Sequence, residues 1–144
     1  LFYPFEKENH MTADLSRYDH FVESVTSETS TNLDMWVNRL HDLQNAGINP
    51  ALLMTGSTGL AGESGEFSEI VKKLNWHGKD LTPEVHAHMK KELGDVIFYW
   101  TMCCQALDLD PNDVIKANVD KLQARYPEGA FSVDRAENRK DGDI

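Results

Sequence analysis

Apolar residues recur along most of this chain at the three- and four-residue steps of amphipathic helices, and no segment shows the alternation of a strand. The first such stretch covers about residues 16–27, with Tyr18, Phe21, Val22 and Val25 at helical spacing, and the polar run from Thr26 to Thr31 ends it. Asn32 is placed to cap a second helix through Trp36, Val37, Leu40 and Leu43, which Gly47 stops. Pro50 opens a third, long helix that runs to about Trp76 and ends at Gly78. Thr82-Pro83 supplies the cap and first-turn proline of a fourth, ending near Leu109, and Asp110-Pro111 repeats that signal for a fifth, which stops before Pro127. Five helices with short connections predict an all-α fold, a helical bundle. There is no internal repeat, and 144 residues suit one domain with its own core. The expected organisation is an N-terminal extension over 1–15, a helical domain over 16–131 and a polar, flexible tail over 132–144. His10-Met11 resembles a cloning-site scar, so residues 1–10 read as partly vector-derived.

Charge breaks the pattern at two places. Glu63-Ser-Gly-Glu66 lies on the third helix and Glu92-Leu-Gly-Asp95 on the fourth, with 25 residues (67–91) between them. Residues three apart on a helix are rotated by about 60°, so each pair can aim two carboxylates at one point. Turning about 100° per residue from Leu60, the residues Leu53, Phe67, Val71 and Leu74 fall within about 40° of it. On the same projection Glu63 comes at about −60°, inside the apolar sector, Glu66 at its edge near about −120°, and Glu69 opposite, where a solvated charge belongs. On the fourth helix Met89, Leu93, Val96, Ile97, Trp100, Cys104 and Leu107 define the apolar stripe, and Glu92, Tyr99 and Asp95 follow outward from its border. A carboxylate in or beside a packing face is costly unless paired or metal-bound. If the two helices face each other, four carboxylates meet and cations must neutralise them; an all-oxygen ligand set favours a hard ion such as Mg²⁺.

Overall charge narrows the partners. Asp and Glu number 24 against 14 Lys and Arg, a net charge of −10, which argues against a nucleic-acid groove. A phosphorylated small molecule is still compatible, because bound metal ions can bridge it to the acidic cluster. Cys103 and Cys104 are adjacent on a helix, where side chains diverge by about 100°, so they read as reduced core residues and not as a mutual disulfide or a metal site. No apolar run approaches the ~20 residues of a membrane span, and no secretory pattern opens the chain, so a cytoplasmic location without membrane partners is expected.

The runs Gly59-Leu-Ala-Gly-Glu63-Ser-Gly-Glu66-Phe and Lys90-Lys-Glu92-Leu-Gly-Asp95-Val resemble the paired ExxE and ExxD motifs of the MazG-like all-α nucleoside triphosphate pyrophosphohydrolases. Asn118-Val-Asp-Lys121-Leu-Gln-Ala-Arg125-Tyr126-Pro127 is similar to that family's last-helix motif, and the resemblance covers roughly residues 16–132. The superfamily also contains dimeric dUTPases and dCTP pyrophosphatases; the stretch before the first motif and the run Lys72-Lys-Leu-Asn-Trp-His-Gly78 look most like its small phage and bacterial versions.

The resemblance implies hydrolysis of a nucleoside triphosphate to the monophosphate and pyrophosphate, with Glu63, Glu66, Glu92 and Asp95 holding Mg²⁺, for which Mn²⁺ can substitute. Metal ions would orient a water and stabilise the leaving pyrophosphate, and Glu66, at the rim of the apolar face, is the candidate to accept the water's proton. Asn118, Lys121 and Arg125 are candidate phosphate ligands, although Lys121 and Arg125 also suit a helix C-terminus through its dipole. Lys72 or Lys73 either reaches a phosphate or is solvated. Tyr99 and Trp76, and less so Trp36, are candidates to stack on the base, with a core role the alternative for each. His77, His86 and His88 stand outside the acid motifs and read as surface groups. A di-iron carboxylate bundle would need ExxH pairs, which neither Glu66 nor Glu92 begins. A helical interaction protein that binds metal or nucleotide without turnover is the other class to separate. An acid-lined bundle this small leaves apolar helix surface uncovered, so a homodimer or homotetramer is expected.

Overall fold

The structure is a computed structural model that describes residues 15–138; the reading of residues 1–10 and the last six residues of the tail lie outside that range. Every regular element among the described residues is helical: α1 (Ser16–Val25), α2 (Glu28–Thr31), α3 (Leu33–Asn45), α4 (Pro50–Trp76), α5 (Pro83–Ala106), α6 (Pro111–Arg125) and α7 (Val133–Glu137). The chain divides into two compact units, Leu1–Leu40 and His41–Ile144, and the division falls within α3.

The boundaries follow the expected capping chemistry. Asn49 Oδ1 accepts from the Leu52 amide at 3.0 Å, Thr82 Oγ1 from Val85 at 3.3 Å, and Asp110 Oδ1 from Asn112 at 2.8 Å, each ahead of a proline in the first turn. Asn32 Oδ1 likewise receives the Met35 amide at 3.1 Å at the head of α3. Gly47 and Gly78 take positive φ after α3 and α4, at 93° and 65°, which favours glycine there.

Three expectations need correction. α5 stops at Ala106 and not near Leu109, because the Leu107 amide folds back onto the Cys103 and Cys104 carbonyls and Asp108 turns to φ 54°. The polar run after α1 closes one helical turn of its own, α2, with Ser27 Oγ 2.8 Å from Ser30 Oγ. The tail begins with the short helix α7, whose Arg135 amide donates to Ser132 Oγ at 3.4 Å and whose Arg135 Nη2 meets Glu128 Oε1 at 3.2 Å. None of these short polar turns carries an apolar face, so hydropathy gives no sign of them.

Within the second unit, α4 and α5 form the principal packed pair, and α6 meets α5 over a much smaller area. They run antiparallel: Gly59 lies against the Tyr99 ring, Gly56 against Cys103, and the Asn49 amide donates to the Ala106 carbonyl at 2.8 Å. Buried or half-buried positions on α5 include Val85, Met89, Glu92, Val96, Tyr99, Cys103 and Ala106, at the alternating four- and three-residue steps of a coiled seam, with Trp100, Thr101, Met102 and Cys104 beside them toward its end. The matching positions on α4 are Gly56, Leu60, Glu63, Phe67, Ile70 and Leu74. Of the apolar stripe of α5, Met89, Val96, Trp100 and Cys104 are buried or half-buried. Leu93, Ile97 and Phe98 are exposed, Ile97 by 60%. At Gly56 and Gly59 the absence of a side chain leaves room for Cys103 and the Tyr99 ring of α5. Cys104 is buried and Cys103 half-buried, both as free thiols. No helix of the described residues is long and apolar enough to cross a membrane.

Candidate metal centre

Two seam positions in the middle of this helix pair carry carboxylates. Glu63 on α4 and Glu92 on α5 face each other across it, and Asp95, one turn after Glu92, joins them: one oxygen from each lies within 4.8 Å of the others. Glu92 is the deepest, at 6% exposure, Glu63 is half-buried and Asp95 exposed; the order along each helix is the projected one, but Glu92 lies deeper than a border position.

Glu92 Oε2 is buried and has no hydrogen-bond partner. An ionised oxygen in that state costs at least about 1–3 kcal/mol unless something positive meets it. His88 Nε2, one turn earlier, lies 2.8 Å from the other oxygen, Oε1. His88 was read as an outlying surface group; its position four residues before Glu92 was the available signal for this contact. The donor chemistry fits a hard divalent cation: three carboxylates, one with an unmatched buried oxygen, and no histidine or cysteine joining them.

Glu66 stands outside the convergent group, exposed at the edge of α4 where its rotation of about 60° from Glu63 turns it toward solvent. Four candidate carboxylates therefore appear as three that converge and a fourth beside them. Partial burial holds the Glu63 carboxyl above its ordinary value of 4.5, followed by the negative charges of Glu66, Asp95 and Glu92 and by direct contact with Glu92. In the folded chain Glu63 thus keeps its proton to higher pH than in the unfolded chain, and stability falls as pH rises from 4.5 through the raised value. In the presence of a chelator, Glu63→Gln is expected to melt higher than the parent above that window, with the difference closing as pH falls below 4.5. A melting difference that does not vary with pH would contradict this.

The other candidates occupy varied settings. Glu69, on the outer side of α4, is half-buried and held below its ordinary range by its hydrogen bond from Lys72, with Lys73 Nζ 3.4 Å away; both lysines are thus engaged by an acid of their own helix. Tyr99 is packed on Gly59 and edge-on to Phe98, with ring centroids 5.2 Å apart, so its ring serves the α4–α5 contact. Trp76, at the end of α4, is 77% exposed, and Trp36 belongs to the first unit. On α6, Asn118 and Lys121 are exposed and Arg125 is half-buried, its carbonyl accepting from Arg135 Nη1 at 3.5 Å. An open apolar cleft of about 310 Å³ lies against this last-helix motif, lined by Val119, Leu122, Tyr126 and Phe131 among others and by none of the acidic group.

Fold and site together define an all-α protein with three converging carboxylates across an antiparallel helix pair. Residues 54–130, more than half the chain, match the MazG nucleotide pyrophosphohydrolase domain, and the chain belongs to that family. It is similar to the Gene 37 protein of Mycobacterium phage L5, with 38% identity over 75 residues; the match covers 51% of this chain and 65% of the phage protein. No solved structure matches it.

Proposed function

We propose that the protein hydrolyses nucleoside or deoxynucleoside triphosphates to the monophosphate and pyrophosphate in a Mg²⁺-dependent reaction. The observation that carries this reading is the buried, unpartnered Glu92 Oε2 beside the Glu63 and Asp95 carboxylates, in a chain of the MazG nucleotide pyrophosphohydrolase family. Glu63, Glu92 and Asp95 are the proposed ligands. Bound there, Mg²⁺ or Mn²⁺ supplies the positive charge that offsets triphosphate oxygens and the departing pyrophosphate and makes a water more acidic. Glu66, exposed next to Glu63, is the proposed acceptor of that water's proton. Asn118, Lys121 and Arg125 are proposed to bind phosphate oxygens, with Lys73 as a further cation, and Trp76 to stack on the base while Tyr99 sets the helix spacing behind it. The acidic surface suits a free nucleotide substrate rather than a nucleic acid, and two reduced cysteines suit work in the cytoplasm.

Incubation with a panel of ribo- and deoxynucleoside triphosphates tests this. Pyrophosphate and monophosphate are expected with Mg²⁺ and neither with excess chelator. Absence of pyrophosphate from every nucleotide at high protein concentration would reject the hydrolase and leave a metal- or nucleotide-binding helical protein.

The exposed row of Leu93, Ile97 and Phe98 on α5 supports a homo-oligomer, a dimer or a tetramer, with this face covered by a second copy. Light scattering is expected to give a multiple of the 16.3 kDa chain mass. Ile97→Glu would lower that mass, and a monomeric parent would refute the assignment.

A further inference from the structure

We propose that His88 is a positioning residue for this centre: its Nε2–H braces Glu92 Oε1 and thereby presents Oε2 to the cation. The inference rests on the metal centre proposed above.

The last torsion of a glutamate side chain is broad and roughly two-fold, so backbone placement alone does not decide which oxygen faces the seam. At Glu92 the two oxygens are distinguished. Oε1 has the imidazole nitrogen at 2.8 Å, while Oε2 is buried with no partner, in a carboxylate that converges with those of Glu63 and Asp95. Two lone pairs at that distance would repel, so a proton lies between the two atoms; in the proposed arrangement Nε2 carries it and Nδ1 is left to solvent on a side chain that is 54% exposed. The geometry does not make His88 a ligand, since among the described residues no imidazole nitrogen joins the three converging oxygens. It stands behind the carboxylate, as outer partners of metal-bound groups do, and loss of such a partner costs about 10–100-fold in metal affinity.

Glutamine and asparagine separate this role from a general need for a side chain at position 88. The amide nitrogen of glutamine can occupy the place of Nε2, four atoms from the backbone carbon as in histidine, whereas asparagine reaches only as far as Nδ1. Mn²⁺ binding to the full chain, followed by titration calorimetry or by loss of the free-ion resonance signal, is expected to be close to the parent in His88→Gln. In His88→Asn and His88→Leu it is expected to be about 10–100-fold weaker. Helical circular dichroism identifies any variant that has not folded, and the Gln and Asn pair differs in donor position with little change in bulk. Parent-like Mn²⁺ affinity in the Asn and Leu variants would overturn the role of His88 while leaving the metal centre standing. Equal weakening in all three would overturn the bracing by Nε2–H. A parent that does not bind Mn²⁺ at all would remove the centre, and this inference with it.

Discussion

Glu92→Gln is expected to reduce pyrophosphate release by about 100-fold or more, a loss of about 2.7 kcal/mol of transition-state stabilisation, which is within what one charged metal ligand can supply. Glu92→Leu is expected to lose activity as far and yet melt higher than the parent when both are measured with a chelator. The two effects share one cause. Glu92 is the acid set deepest in the α4–α5 seam, and one of its oxygens has no partner, so the metal-free fold carries an uncompensated buried group. Removing such a group in favour of an apolar side chain of similar volume relieves a desolvation cost of about 1–3 kcal/mol, and His88, half exposed, can turn to water once its acid is gone. Glu63→Gln and Asp95→Asn are expected to abolish turnover too. A Glu92→Gln protein that turns over within tenfold of the parent would remove Glu92 from the centre. A Glu92→Leu protein that melts lower would show that the buried carboxylate is already compensated by the chain itself.

Gly59→Ala is expected to destabilise the protein by up to about 2 kcal/mol, against the trend for glycine within helices. Helix propensity alone favours alanine by about 1 kcal/mol. The added methyl, however, would lie 2.3 Å from Cδ1 and Cε1 of Tyr99 and 2.6 Å from Cγ, at the root of a rigid ring already set edge-on to Phe98. The helices must part or the ring must leave its place, and overpacking of this kind costs about 1–3 kcal/mol. Gly62→Ala is the control, since nothing lies within 4 Å of its added carbon, and it should follow propensity and stabilise. Chemical denaturation of the Gly59→Ala, Tyr99→Leu and double variants closes the cycle: the alanine should cost less once the ring is gone. If Gly59→Ala is as stabilising as Gly62→Ala, close packing on Tyr99 does not hold the pair together.

The long helices were legible because their ends are chemically marked. Asn49-Pro50, Thr82-Pro83 and Asp110-Pro111 each combine a side-chain acceptor with a residue that needs no amide partner, and the structure starts a helix at all three. The two acid motifs were legible as a spacing. Their depth was legible in part: the projection sets Glu63 in a packing face and Asp95 outermost on its helix, but leaves at a border the Glu92 that the structure buries. A glycine has no side chain to register on an apolar scale, so the contacts of Gly56 with Cys103 and of Gly59 with Tyr99 were hidden. The His88–Glu92 contact was missed for a related reason, because an i,i+4 neighbour acquires meaning only when the acid it touches is buried.

The bond from the Asn49 amide to the Ala106 carbonyl fixes how this region can change length over evolutionary time. It ties the start of α4 to the end of α5, and the connection 77–82 joins their other ends, so the pair is a loop fastened twice with Glu63 and Glu92 between the fastenings. One residue inserted between Glu63 and the end of α4, or between the start of α5 and Glu92, would turn a carboxylate by about 100° relative to a fastening. Descendants that keep the centre therefore have freedom to gain or lose residues in the connection, while the two helices must change by substitution alone.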